Sequence, residues 1–131
     1  MSVREIRLFG DPVLRTVCDP VGAPSPAIEA LVQDLLDTVQ VPGRAGLAAN
    51  QIGVALRAFS YNVDDRIGYL LDPELVEVRG EPIDFDEGCL SVPDLVFPTK
   101  RYPWARSVGR LLDGSTTEIY TRKIVGSVRC V

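Results

Sequence analysis

The stretch SPAIEALVQDLLDTVQVPG, residues 25–43, carries the clearest periodicity in the chain and constrains the fold most. Ser25 is a good helix N-cap, because its hydroxyl can accept from an otherwise orphaned N–H of the first turn. Pro26 suits the first helical position, where its missing N–H costs nothing. Ile28, Leu31, Val32, Leu35, Leu36 and Val39 then recur at three- and four-residue spacing, while Glu29, Gln33, Asp37 and Gln40 take the opposite face. The spacing predicts an amphipathic helix over roughly residues 26–41, stopped by Pro42 and Gly43.

The rest of the chain reads as strands. VALRAFSYNV (54–63) and YLLDPELVEVRG (69–80) are short apolar or β-branched runs closed by turn residues. ARSVGRLLDGSTTEIYTR (105–122) places Asp113-Gly114 between two such runs, a strong hairpin signal. One early helix followed by strands predicts an α+β fold with antiparallel β-sheets. At 131 residues, with ten prolines and eleven glycines scattered as punctuation and no repeat or linker, a single domain over 1–131 is expected.

The formal charge of −4 argues against a nucleic-acid partner. No apolar run has the length of a signal peptide or a membrane span, so no membrane association is expected. Three cysteines, Cys18, Cys89 and Cys130, are too sparse and odd a set for a disulfide framework, and the reading is a cytoplasmic protein with reduced thiols.

Three segments could carry chemistry. GRAGLAANQIGV (43–54) combines small residues that allow close backbone approach with the side-chain amide of Gln51; as packing alone, it is a glycine-rich turn with Gln51 satisfied by the backbone. It lacks the lysine and glycine spacing of a phosphate loop. EGCLSVP (87–93) sets Cys89 just after acids; as packing alone, that thiol is a buried structural cysteine near a strand end. Cysteine does chemistry as a thiolate, as nucleophile or as metal ligand, and usually beside an imidazole; the chain contains no histidine. RYPWARSVGR (101–110) joins Trp104 to arginines, but the overall acidity makes Trp104 core or pocket wall rather than a nucleic-acid contact.

GLAANQIGV followed by EGCLSVP resembles the peptide deformylases, metal hydrolases that remove formyl groups from new protein N-termini. IRLFGDPVLRTVCDPV (6–21), the helix, and FPTKRYPWARSVGRLLDG (97–114) also look like deformylase sequence of the actinobacterial kind, so the resemblance covers essentially the whole chain. It implies that Gln51 donates its amide to the oxygen that becomes negative in the transition state, that the backbone N–H of Leu90 is a second such donor, and that Cys89 is a metal ligand. Gly46 would line the substrate cleft and bond the peptide backbone, while Glu87 and Gly88 would position the cysteine turn. The implied cofactor is ferrous iron or another divalent metal, and the implied partners are N-formylmethionyl peptides or nascent chains.

The family's third motif, a helix reading His-Glu-x-x-His, supplies two more ligands and the proton-shuttling glutamate; residues 1–131 contain no histidine. The tail KIVGSVRCV (123–131) resembles the stretch leading into that helix. Arg44-Ala45-Gly46 also departs from the family's more usual Gly, apolar, Gly. The expectation is a deformylase-like fold lacking its central motif helix, truncated or inactive and not retaining metal. Apolar faces near 54–63 and 105–121 should then be partly uncovered and favour self-association. The alternative is a non-catalytic peptide-binding module or one piece of a split enzyme.

Overall fold

The computed structural model describes residues 2–121. Cys130 and the tail segment 123–131 lie outside the described residues.

Helix α1 spans Pro26–Val39, two residues shorter than the periodicity predicts. Ser25 Oγ accepts from the Ile28 N–H at 3.3 Å, as its cap position requires. Ile28, Leu31, Val32, Leu35 and Val39 are buried and Leu36 half-buried, the stripe the spacing marks out. Asp34 and Thr38 are buried beside them and hold the N-terminal segment to the helix. Asp34 accepts from the Ser2 N–H at 2.7 Å and from Arg4 Nη1 at 3.1 Å, and Thr38 Oγ1 accepts from the Arg4 N–H at 2.8 Å.

The strands are β1 (Gly46–Ala48), β2 (Ala58–Val63), β3 (Arg66–Arg79), β4 (Ile83–Cys89), β5 (Val92–Arg101), β6 (Trp104–Arg110) and β7 (Thr116–Thr121). Five form one sheet in the order β1-β2-β3-β6-β7, and β4 and β5 form a separate two-stranded ribbon; these strand pairings are all antiparallel, and an isolated parallel bridge joins Asp19 to Leu56. The fold is α+β, as the pattern of elements predicts. Helix α1 lies on one face of the sheet, where its stripe packs with Leu47, Ala58 and Leu71. Each such large aliphatic side chain contributes about 1.5–3 kcal/mol by leaving water. Ala48, Phe59, Val63 and Leu70 pack together as a second cluster.

The turns show how the strands are joined. Val63 pairs with Arg66, so Asp64 and Asp65 form a two-residue hairpin loop with φ of 52° and 63°, the left-handed conformation of a type I′ turn. Asp113-Gly114 falls in the β6–β7 connection as expected, with the Leu111 N–H bonded to the Ser115 carbonyl at 3.0 Å. At the base of the β4–β5 ribbon, Gly80 has φ of 82°, and a Cβ there would lie 2.5 Å from Pro103 Cγ. Only glycine serves at that corner.

One expectation is corrected and another qualified. Trp104 is not core: it is half-buried, and its ring carries the Arg79 guanidinium 4.1 Å from its centroid. Of the faces near 54–63 and 105–121, Ala58, Phe59 and Ala105 are buried, whereas Val54, Leu56, Tyr61, Val108, Leu111, Leu112 and Ile119 are half-buried. Packing of α1 against β2, and of Phe59 against Leu70, covers the first of them in part. Among the described residues the most exposed large apolar side chains are Val17 (82 %), Phe9 (79 %), Val96 (68 %) and Val3 (58 %).

Candidate active site

Gln51 sits in a 3-10 turn, Ala49–Ile52, that follows β1 directly. The turn forms because Gln51 Oε1 accepts from the Ala48 N–H at 3.0 Å, reaching back over the turn's own start. This is half of a capping box; the reciprocal half is missing because Ala48 has no side-chain acceptor. Gly53, with φ of 89°, ends the turn, its N–H bonded to the Asn50 carbonyl at 3.1 Å. A Cβ at Gly53 would lie 2.9 Å from the Arg7 guanidinium, so N-terminal segment and turn approach closely there.

The backbone therefore satisfies the Gln51 oxygen but not its nitrogen. Nε2 donates to Ser91 Oγ at 3.2 Å and, more weakly, to Cys89 Sγ at 3.8 Å. The structure thus brings the amide of one segment onto the thiol of the other across the intervening β2 and β3 strands. Gln51 is 9 % exposed and Ser91 4 %, so the contact is sheltered from water.

Cys89 ends β4 and is half-buried. Leu90 follows it in the turn to β5, with its side chain packed against the α1 cluster. The ribbon slips register between Gly88 and Cys89: Gly88 pairs with Val96 but Cys89 with Val92, which gathers the extra residues of β5 beside the thiol. Two positions earlier, Glu87 accepts from Arg101 Nε at 2.7 Å and Nη2 at 3.0 Å, a two-pronged pair that ties β4 to β5. Gly88 is less constrained: an added Cβ would meet only the Leu95 carbonyl, at an ordinary 3.6 Å.

The N-terminal segment lies across both motif turns. The Arg7 N–H donates to the Gln51 carbonyl and the Phe9 N–H to the Ser91 carbonyl, each at 2.7 Å. A cleft of about 490 Å³ runs along this segment, lined by Arg4, Glu5, Ile6, Arg7, Leu8 and Ile52; neither Gln51 nor Cys89 lines it. Its position marks space behind the segment, not the chemistry.

Gly46 opens β1, paired with Tyr61 of β2, and β1 is an edge of the five-stranded sheet. An edge strand offers main-chain groups to an extended peptide. The other described thiol, Cys18, is buried, and that burial pushes its thiol up from the usual cysteine range. Its carbonyl accepts from Arg57 Nε at 2.9 Å, a packing role.

Among the described residues, no three His, Cys, Asp or Glu side chains come together as a metal cage. A catalytic zinc-type site takes three protein ligands, and Cys89 provides one, so these residues by themselves do not fit the ion that the resemblance implies.

Sequence reasoning missed Ser91, Arg101 and the Arg7–Phe9 clamp. Ser91 stands inside EGCLSVP, and that proximity to Cys89 was its only signal.

The polypeptide deformylase family model matches residues 3–128. The chain is 47 % identical to the peptide deformylase of Parafrankia sp. (strain EAN1pec), over 91 % of its own length and 66 % of that protein's. To the peptide deformylase of Acidothermus cellulolyticus it is 52 % identical, over 77 % of its own length and 56 % of that protein's. It therefore spans between 56 % and 66 % of the length of these curated relatives. Among solved structures, the peptide deformylase of Thermotoga maritima superposes with a TM-score of 0.86 at 27 % identity, covering 98 % of this chain and 88 % of that one. That of Legionella pneumophila gives 0.88 at 28 % identity, covering 98 % and 78 %.

Proposed function

This chain belongs to the polypeptide deformylase family, and from that premise we propose that Gly46, Gln51, Cys89 and Leu90 are the peptide-recognising and oxyanion-stabilising part of a deformylase site. The observation that carries the reading is the Gln51 Nε2 placed 3.8 Å from Cys89 Sγ, with its oxygen already tied to Ala48. An amide fixed in this way presents an N–H without having to reorganise during reaction, which is where such donors gain their effect.

In this reading the edge of β1 at Gly46 receives the backbone of an N-formylmethionyl peptide as an added strand. The formyl oxygen then comes to lie near the Cys89 turn, within reach of the Gln51 amide and the Leu90 N–H. Burial of Gln51 and Ser91 keeps water from competing for the donor. A divalent ion, ferrous iron by family resemblance, belongs to the chemistry of the whole family site; in this chain Cys89 supplies one of its ligands. Residues 1–131 contain neither the histidines nor the His-Glu-x-x-His glutamate that would complete that site. These 131 residues on their own accordingly bind formylated peptide and do not turn it over.

The test is titration of the chain with a formyl-methionyl peptide and with the same peptide unformylated, with formate release followed in parallel. The expected result is preferential binding of the formylated peptide, loss of that preference in Gln51→Ala, and formate release equal to the blank. Equal binding of both peptides would end the recognition reading. Formate release that Gln51→Ala abolishes would show that the chain completes its own catalytic site.

A further inference from the structure

We infer that Ser91 is a positioning residue for Gln51, acting through its hydroxyl to hold the amide plane so that one N–H faces the Cys89 turn; this rests on the deformylase reading of Gln51. The Ala48 N–H can only donate, so the atom facing it must be the Gln51 oxygen, and the nitrogen must face the other way. One hydrogen bond leaves a terminal amide free to swing, because the last torsion of glutamine is broad. A second bond at the opposite end of the planar group removes that freedom. Ser91 Oγ supplies it at 3.2 Å.

An amide nitrogen carries two N–H groups, and the structure offers them two acceptors of unequal quality. Ser91 Oγ is a good oxygen acceptor at ordinary distance; Cys89 Sγ, at 3.8 Å, is a weak one. A developing oxyanion would take the N–H from the weaker partner, and the Ser91 bond would stay in place throughout. Ser91 is itself held in place by its surroundings: it is 4 % exposed, and its carbonyl accepts from the Phe9 N–H at 2.7 Å. The reference point for the donor is therefore fixed by both the β4–β5 turn and the N-terminal segment.

The experiment uses the ¹⁵N-labelled chain, with the Gln51 side-chain pair identified by its loss in Gln51→Ala. In Ser91→Ala the two Gln51 side-chain protons should exchange with solvent roughly 2- to 12-fold faster, the range that one hydrogen bond spans, and their shifts should converge. Ser91→Thr keeps the hydroxyl and should stay near wild type. Backbone amides of Arg7 and Phe9 should be unmoved in both, which separates an effect on the amide from a general loosening. Should Ser91→Ala disturb those two amides, Ser91→Cys, similar in size and a weak acceptor, replaces it with the same expectation. A Gln51 pair unmoved in these variants, or moved equally by Ser91→Thr, would overturn the role of Ser91. Adding formyl-methionyl peptide to the wild type tests the other premise separately: a Gln51 pair that ignores the peptide counts against the deformylase reading and not against the clamp.

Discussion

Replacing Asp72 by alanine should cost about 3 kcal/mol of stability, and the parts of that cost can be measured apart. The Asp72 carboxylate accepts from the Val21 N–H at 2.7 Å and from the Gly22 N–H at 3.4 Å, and it pairs with Arg110, whose guanidinium also donates to the Gly22 carbonyl at 3.0 Å. One carboxylate thus joins the loop before α1 to β3 and β6. A hydrogen bond to a charged acceptor contributes about 1.5–3 kcal/mol, and the Val21 bond is the good one; the longer Gly22 contact adds little. The Arg110 pair is partly exposed, with side chains 34 % and 22 % accessible, so about 0.5 kcal/mol is a fair share for it. Asp72 also has φ of 48° and precedes Pro73, a conformation that asparagine, aspartate and glycine tolerate and alanine does not, which adds about 1 kcal/mol. Asp72→Gly should therefore cost about 2 kcal/mol, because it loses the bonds but not the conformation. Asp72→Asn, with a neutral acceptor left in place, should cost about 1 kcal/mol. Urea unfolding followed by the fluorescence of Trp104, the one tryptophan of the chain, gives the ranking. An Asp72→Gly variant as stable as wild type would show that the carboxylate bonds add nothing. Equal losses in Asp72→Ala and Asp72→Gly would show that the backbone conformation carries no strain.

Asp64→Asn combined with Asp65→Gly should stabilise the chain by about 1 kcal/mol, since Asn-Gly suits the left-handed β2–β3 turn better than two aspartates; an unchanged urea midpoint would refute this. Gly80→Ala should cost about 2 kcal/mol or more, because φ of 82° and the approach of Pro103 both oppose a Cβ, whereas Gly114→Ala, with open space around it, should cost only about 1 kcal/mol. Calorimetry that ranks the two equally would dismiss the Pro103 contact. Burial raises the folded-state pKa of the Cys18 thiol, so its stabilising effect is present below the ordinary thiol range and is lost as pH rises through the folded value. Stability above about pH 9 should then fall more steeply in the wild type than in Cys18→Ala. Iodoacetamide mass mapping under native conditions should label Cys89 before Cys18, and the reverse order would contradict the burial of Cys18.

Helix α1 was legible because everything that makes it is local: a cap at Ser25, a proline at its start and a stripe of aliphatics. What its periodicity could not convey is that Asp34 and Thr38 turn inward, since their partners are Ser2 and Arg4, distant in sequence. The hairpin at Asp113-Gly114 and the strands β2 and β3 follow from turn chemistry and β-branched runs; that Asp64-Asp65 joins β2 and β3 as a hairpin was not legible in the sequence. The β4–β5 ribbon was not legible either, because none of its side chains is fully buried and so no strong apolar stripe marks its strands. At the candidate site, composition alone favoured a Gln51 satisfied by the backbone, and that is half of what the structure has: the oxygen bonds Ala48 while the nitrogen turns to Ser91 and Cys89. Their meeting depends on how β2 and β3 fold back, so residue spacing could not express it; only the family resemblance joined the two segments in advance.

The bonds from Arg7 to Gln51 and from Phe9 to Ser91 also set an order of events for a chain made from its N-terminus. Residues 7 and 9 emerge first, yet the carbonyls they bond belong to turns synthesised much later. Contacts of such sequence separation are slow to form, because the loop between them must be closed before they contribute. Helix α1 and the β2–β3 hairpin can assemble while the N-terminal segment is still unplaced. The segment can lie across both turns only once residue 91 is available. By the same reasoning, release of that short segment would remove one of the ties between the two turns with the sheet still intact, while the Gln51 bonds to Ser91 and Cys89 still join them.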